Sequence, residues 1–154
     1  MIGRDIHEKK ALQPVYLRRK IGVIKLERNV YLSNAELGVS GIIDDLLYFK
    51  GGKMCSLDYK FAFYKTRFQT QFYQNVLYSL LIEKNYLTNV DFCYIVYVRD
   101  HNRLMQYPIA EEHKQLVLES VRDAQRIIGA GYFPKATRHR KSCPDCCFHN
   151  LCIS

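Results

Sequence analysis

Two strand-like runs on either side of Gly51-Gly52 constrain this chain more than anything else in its sequence. "GVSGIIDDLLYFK" (38–50) and "KMCSLDYKFA" (53–62) are apolar and strand-like, and the glycine pair between them suits a hairpin turn. The second run holds an awkward pairing: Asp58 and Lys60 stand two apart among apolar neighbours. Residues i and i+2 of a strand share a face, so an acid and an ammonium sit together where burial makes both costly. The hairpin also brings Asp44 and Asp45 within cross-strand range of Asp58. Carboxylates that close stay ionised inside a protein only beside a cation. Lys60 can supply that charge, and a satisfied ion cluster at a sheet edge is the bland interpretation. A divalent Mg²⁺ or Mn²⁺, which prefers oxygen ligands and commonly uses one or two carboxylates, fits better.

Turn length decides which aspartate faces Asp58. A strict two-residue turn at Gly51-Gly52 opposes Lys50 to Lys53 and Asp45 to Asp58. A three-residue loop of Lys50, Gly51 and Gly52 places Asp44 there instead.

The flanking sequence supplies the remaining elements. "GRDIHEKKALQ" opens as a short helical piece, and "GVIKLERNVYLS" (22–33) adds a strand, making an antiparallel meander of three. From Tyr64 to Lys84 the period turns helical, with Phe68, Phe72, Val76 and Leu80 recurring every four residues and Asn85 as the stop. "NVDFCYIVYVRD" (89–100) is expected as a central strand and "RLMQYPI" (103–109) as an edge strand with Pro108 near its end. A second helix is expected over 111–128, with Val117, Val121, Ala124 and Ile128 on one face. This order implies an α/β sandwich around a mixed sheet flanked by helices, not alternating βαβ units. At 154 residues the chain suits one domain, a core over 1–133 with a basic, cysteine-rich tail over 134–154.

Lys and Arg total 23 against 15 Asp and Glu, a formal charge of +8 that suits a polyanion, nucleic acid above all. Twelve Tyr and eight Phe offer surfaces on which bases could stack, though most are expected in the core. No apolar run approaches the roughly 18 residues of a membrane span, and no signal peptide opens the chain, so a soluble cytoplasmic protein is expected. Cys55 and Cys93 lie in apparent strands and need only burial. Cys143, Cys146, Cys147 and Cys152 crowd the tail, a pattern for a metal or iron–sulfur site, not for disulfides.

"GIIDDLLYFKGGKMCSLDYK" resembles the core of the PD-(D/E)xK nucleases of the RecB-like branch. The matching residues are Gly41 and Asp44 of a G-x-x-D motif, then Asp58 and Lys60 of the acid-x-Lys. "QNVLY" supplies the Gln-x-x-x-Tyr of that branch at Gln74 and Tyr78, one helical turn apart. "QTQFY" gives a second match at Gln69 and Tyr73, and "GRDIHE" resembles the upstream motif through Gly3, His7 and Glu8. "CPDCCFHNLC" places Cys143, Cys146 and Cys152 as C-x2-C-x5-C, similar to the tail of the CRISPR-associated exonucleases of the Cas-four family.

The resemblance implies a metal-dependent DNA exonuclease that acts on single-stranded ends and trims DNA for CRISPR spacer acquisition, beside the spacer integrase. It implies a Mg²⁺ or Mn²⁺ held by His7, Asp44, Asp58 and the backbone carbonyl of Tyr59. Lys60 would act on the water, while Gln74 and Tyr78 position the strand. It also implies a [4Fe–4S] cluster on Cys143, Cys146 and Cys152, with the fourth cysteine expected from a segment upstream of "GRDIHE". Cys147 is also available as a fourth ligand, although neighbouring residues rarely aim at one ion. Zn²⁺ on the three thiolates with His149 or His139 is the chemical alternative. Lys135, Arg138, Arg140 and Lys141 of the basic "KATRHRK" segment would contact phosphates. Two rival functions are a non-catalytic DNA-binding module with a structural metal, and the nuclease domain of a repair helicase.

Overall fold

The computed structural model describes residues 21–64 and 68–131, together with Lys141, Cys143, Pro144, Cys146 and His149. The expected N-terminal helical piece lies outside these residues. Strands β1 (Val23–Asn34), β2 (Val39–Phe49) and β3 (Met54–Lys60) pair antiparallel in sequence order, as a meander does. Between β2 and β3 the chain makes a single 3-10 turn over Lys50–Gly52, closed by the Phe49 amide donating to the Lys53 carbonyl at 2.9 Å. Gly51 and Gly52 have φ of 77° and 76°, a left-handed conformation that glycine adopts without a Cβ clash. Three residues therefore form the loop. Asp45 pairs with Leu57 as the last pair of the ladder, and that register extended by one step sets Asp44 across from Asp58.

A parallel neighbour for β3 needs a crossover, which helix α1 (Phe68–Tyr86) provides. It leads to β4 (Phe92–Tyr97), paired parallel with β3. Strand β5 (Arg103–Pro108) returns antiparallel to β4. His101 and Asn102 turn the corner with φ of 52° and 55°, and the Arg103 amide closes it on the Asp100 carbonyl at 2.9 Å. Two left-handed residues in succession give the twist that a tight hairpin prefers. The sheet is mixed, in the order β1-β2-β3-β4-β5. Thus β3 is central, β4 is interior, and β5 is an edge that ends on Pro108.

Helix α1 lies against β1, β2, β3 and β4. Phe72, Val76 and Leu80 are buried at the expected four-residue spacing, and Leu81 and Ile82 join Ile43, Leu46 and Leu57 in the core. The helix runs past Asn85, whose amide donates to the carbonyls of Leu81 and Ser33. Leu87 ends it instead: its φ is 52°, its amide donates to the Glu83 carbonyl at 3.0 Å, and its side chain is 94% exposed. That is the left-handed cap usually given to glycine.

Helix α2 (Glu111–Ala130) follows. Near its start Lys114 makes a buried ion pair with Glu83 at 2.6 Å. Of the face expected there, Val117 is buried but Ile128 is 79% exposed. The helical period is as expected, but the period alone does not fix how far along a helix the core extends. The chain divides into two compact units, Met1–Val117 and Leu118–Ser154. None of the described helices is long and apolar enough to cross a membrane.

Candidate active site

The β2–β3 hairpin and α1 bring five of the expected site residues together. On β2, Asp44 accepts a hydrogen bond from the Tyr59 amide at 3.0 Å through Oδ2. On β3, Asp58 is buried, and Lys60 Nζ stands 2.6 Å from its Oδ2. The same ammonium donates to Gln74 Oε1 at 2.6 Å, and Gln74 Nε2 donates to the Tyr78 hydroxyl at 2.8 Å. A polar chain thus runs from β3 to α1: Asp58, Lys60, Gln74, Tyr78. It is Gln74 and Tyr78, not Gln69 and Tyr73, that join Lys60.

Asp58 Oδ2 is shut off from solvent. Its charged neighbour is the Lys60 ammonium, close enough to act as a counter-ion. Burial pushes the Asp58 carboxyl above the ordinary carboxylate range; the Lys60 ammonium pulls it back without cancelling the shift, and the charge of Asp44 adds to it. A buried carboxyl beside a second carboxylate, with one ammonium not fully offsetting the burial, fits a cation, and the all-oxygen set of Asp44, Asp58 and the Tyr59 carbonyl suits Mg²⁺ or Mn²⁺. Among the described residues, no three His, Cys, Asp or Glu gather as a complete metal group. His7, expected as a further ligand, lies outside the described residues.

Asp45 has different partners. It is buried, its Oδ2 accepts the Tyr59 hydroxyl at 2.8 Å, and Arg28 Nε lies 3.9 Å from its Oδ1. Adjacent strand residues point to opposite faces, so Asp44 and Asp45 cannot both turn toward Asp58.

One contributor escaped sequence reasoning. Asn75 is fully buried, accepts the Ser56 hydroxyl at 2.9 Å, and places its amide where it lowers the Asp58 pKa. The signal was a polar residue on a helix face otherwise filled by Phe72 and Val76. Gly41 was visible as a motif residue, but its reason was not. A Cβ there would stand 3.0 Å from Tyr78 Cε1, so glycine lets the ring close over β2.

In the tail, the Cys146 amide donates to the Cys143 carbonyl at 3.1 Å, and the His149 amide donates to the Cys146 carbonyl at 3.0 Å. The first bond closes a turn around the C-x2-C pair, whose thiols are free. Cys147, Cys152, His139, Lys135, Arg138 and Arg140 lie outside the described residues, and Lys141 is exposed.

The fold is similar to that in the crystal structure of SSO0001, with a TM-score of 0.53 and 15% identity over 99% of this chain and 69% of that one. No curated protein sequence matches. A family model described as the PD-(D/E)XK nuclease superfamily matches residues 1–153. That match spans the hairpin and helix on which Asp44, Asp58, Lys60 and Gln74 meet, and the chain belongs to the PD-(D/E)XK nuclease superfamily.

Proposed function

We propose that this chain is a DNA exonuclease that hydrolyses phosphodiester bonds at single-stranded ends. Membership of the superfamily implies metal-dependent phosphodiester hydrolysis. The observation that carries the proposal further is the meeting of Asp58, Lys60 and Gln74 next to Asp44 at the end of the β2–β3 ladder. Asp44 and Asp58, with the Tyr59 carbonyl and His7, hold Mg²⁺ or Mn²⁺. Lewis-acid polarisation of the phosphodiester and a more acidic water are the chemistry such an ion supplies. Lys60 orients the attacking water and offsets negative charge growing on the phosphate. Gln74 holds the Lys60 ammonium in place, and Tyr78 holds Gln74, so the helix positions both the lysine and the DNA strand. Basic residues Lys135, Arg138, Arg140 and Lys141 contact phosphates.

In the cell the trimmed ends serve CRISPR spacer acquisition, with the spacer integrase as partner. Support comes from the order of the motifs and from the tail cysteines Cys143, Cys146 and Cys152, whose thiolates suit a [4Fe–4S] cluster or Zn²⁺. The turn between Cys143 and Cys146 is compatible with two thiolates on one such group.

Cleavage of end-labelled single-stranded DNA, with Mg²⁺, Mn²⁺ or a chelator, tests the function. Asp58→Ala and Lys60→Ala are each expected to lower the rate by at least about 10²-fold while the protein stays folded. Near-normal cleavage by either variant would overturn the role assigned to that residue. Iron, sulfide and zinc analysis after anaerobic purification tests the tail; protein with none of the three refutes a metal site there.

A further inference from the structure

Just beyond Lys60 the chain presents aromatic side chains that the core does not use. Phe61 and Phe63 are 56% and 51% exposed. They are held in place by the backbone, because the Lys60 carbonyl accepts both the Ala62 amide at 2.8 Å and the Val98 amide at 2.9 Å. The first of these bonds makes Phe61 the centre of a γ-turn, and the second ties that turn to the end of β4. Arg99 bridges the two rings, its guanidinium carbon 4.6 Å from the Phe63 centroid and 5.5 Å from that of Phe61. Arg103 stacks on Tyr64 at 4.2 Å, and Tyr64 in turn meets Tyr97 edge-on at 5.5 Å. Arg99 and Arg103 flank the tight β4–β5 turn, so one short hairpin delivers both cations to one aromatic segment.

We propose that Phe61 and Phe63, with Arg99 and Arg103, form a stacking platform for the unpaired bases of single-stranded nucleic acid. The proposal rests on the nuclease function of Asp44, Asp58 and Lys60, and adds to it a subsite for the strand. Large rings left half open beside arginines match a ligand with flat π-faces and a negative backbone. A duplex keeps its base faces stacked on one another and offers only base edges and the backbone. Asp100 lies 3.5 Å from Arg103 and offsets part of its charge, whereas Arg99 has no carboxylate partner among the described residues. Arg99 therefore both sets the rings and faces phosphate.

Fluorescence anisotropy with labelled single strands, in Ca²⁺ to prevent cleavage, tests the platform. Two strands of equal length are compared, one ordinary and one with abasic sites throughout. The Phe61→Ala/Phe63→Ala protein is expected to bind the ordinary strand about 5- to 150-fold more weakly for each base unstacked, and the abasic strand as well as the unaltered protein does. Phe61→Tyr/Phe63→Tyr, which keeps the rings, is expected to bind the ordinary strand normally, and each single Phe→Ala change to show a partial loss. Unchanged affinity, or an equal loss on the abasic strand, would overturn the proposal. Because binding is read without cleavage, an unaltered protein that binds but never cuts would refute the hydrolytic function and leave the platform standing.

Discussion

Asp58 sits in an environment that opposes its charge. Its carboxyl has a folded-state pKa above the unfolded one, chiefly through burial. Between those two values the folded chain keeps a proton that the unfolded chain releases. The stabilisation from this group is therefore complete below the unfolded pKa and lost as pH rises through the folded one. In chelator-treated protein, Asp58→Asn is expected to gain stability over the unaltered chain as pH climbs above the ordinary carboxylate range of about 4. Thermal denaturation at rising pH checks it, and a difference that does not change with pH would refute it. The pairing of Asp58 with Lys60 was legible because strand period fixes which residues share a face. The engagement of Asp45 by Tyr59 and Arg28 was not legible, since it depends on which neighbours the opposite face gathers. Asn75 was missed for the same reason: its bond to Ser56 joins a helix to a strand.

Between elements, α1 fits closely on β2 at Gly41. Alanine at Gly41 sets a methyl 3.0 Å from Tyr78, so the ring must shift and the Gln74 bond with it. Gly41→Ala is expected to cost about 1–3 kcal/mol in chemical denaturation and to slow cleavage. In a Tyr78→Leu background the same change is expected to cost less, a coupling of at least about 0.5 kcal/mol. Additive losses would show that the two do not touch. At the other end of α1, Leu87→Gly is expected to raise stability by about 0.5–1 kcal/mol, because glycine relieves the left-handed strain and so little apolar contact is lost. A denaturation midpoint that falls instead would contradict that account. The strands and α1 lie close to where the sequence puts them because their periods are strong. The helix stop does not, since nothing local marks a leucine as a cap. Nor does sequence choose between a two- and a three-residue hairpin loop, because two glycines permit either.

Across the whole molecule, the excess of 23 basic over 15 acidic residues acts on a polyanion at a distance. Single-stranded DNA binding is expected to weaken by at least about ten-fold between 50 and 200 mM salt, as counterion release requires. Anisotropy in a salt series reads the slope, and a flat response would deny a charge-driven encounter. Net charge was legible at once from composition. How that charge is spread was not: the Arg99–Phe63 contact joins residues that only the parallel β3–β4 pairing brings together. The exposed cap at Leu87 has one more consequence. Asp44, Asp58, Lys60, Gln74 and Tyr78 all precede it in the chain, while β4, which pairs with β3 from Leu57 to Lys60, follows it. The peptide bond after Leu87 therefore separates a half that carries the proposed site from a half that completes the sheet around it. Produced as two polypeptides, residues 1–87 and 88–154, the molecule would be a split enzyme: each half silent by itself, and cleavage restored when both are made in the same cell.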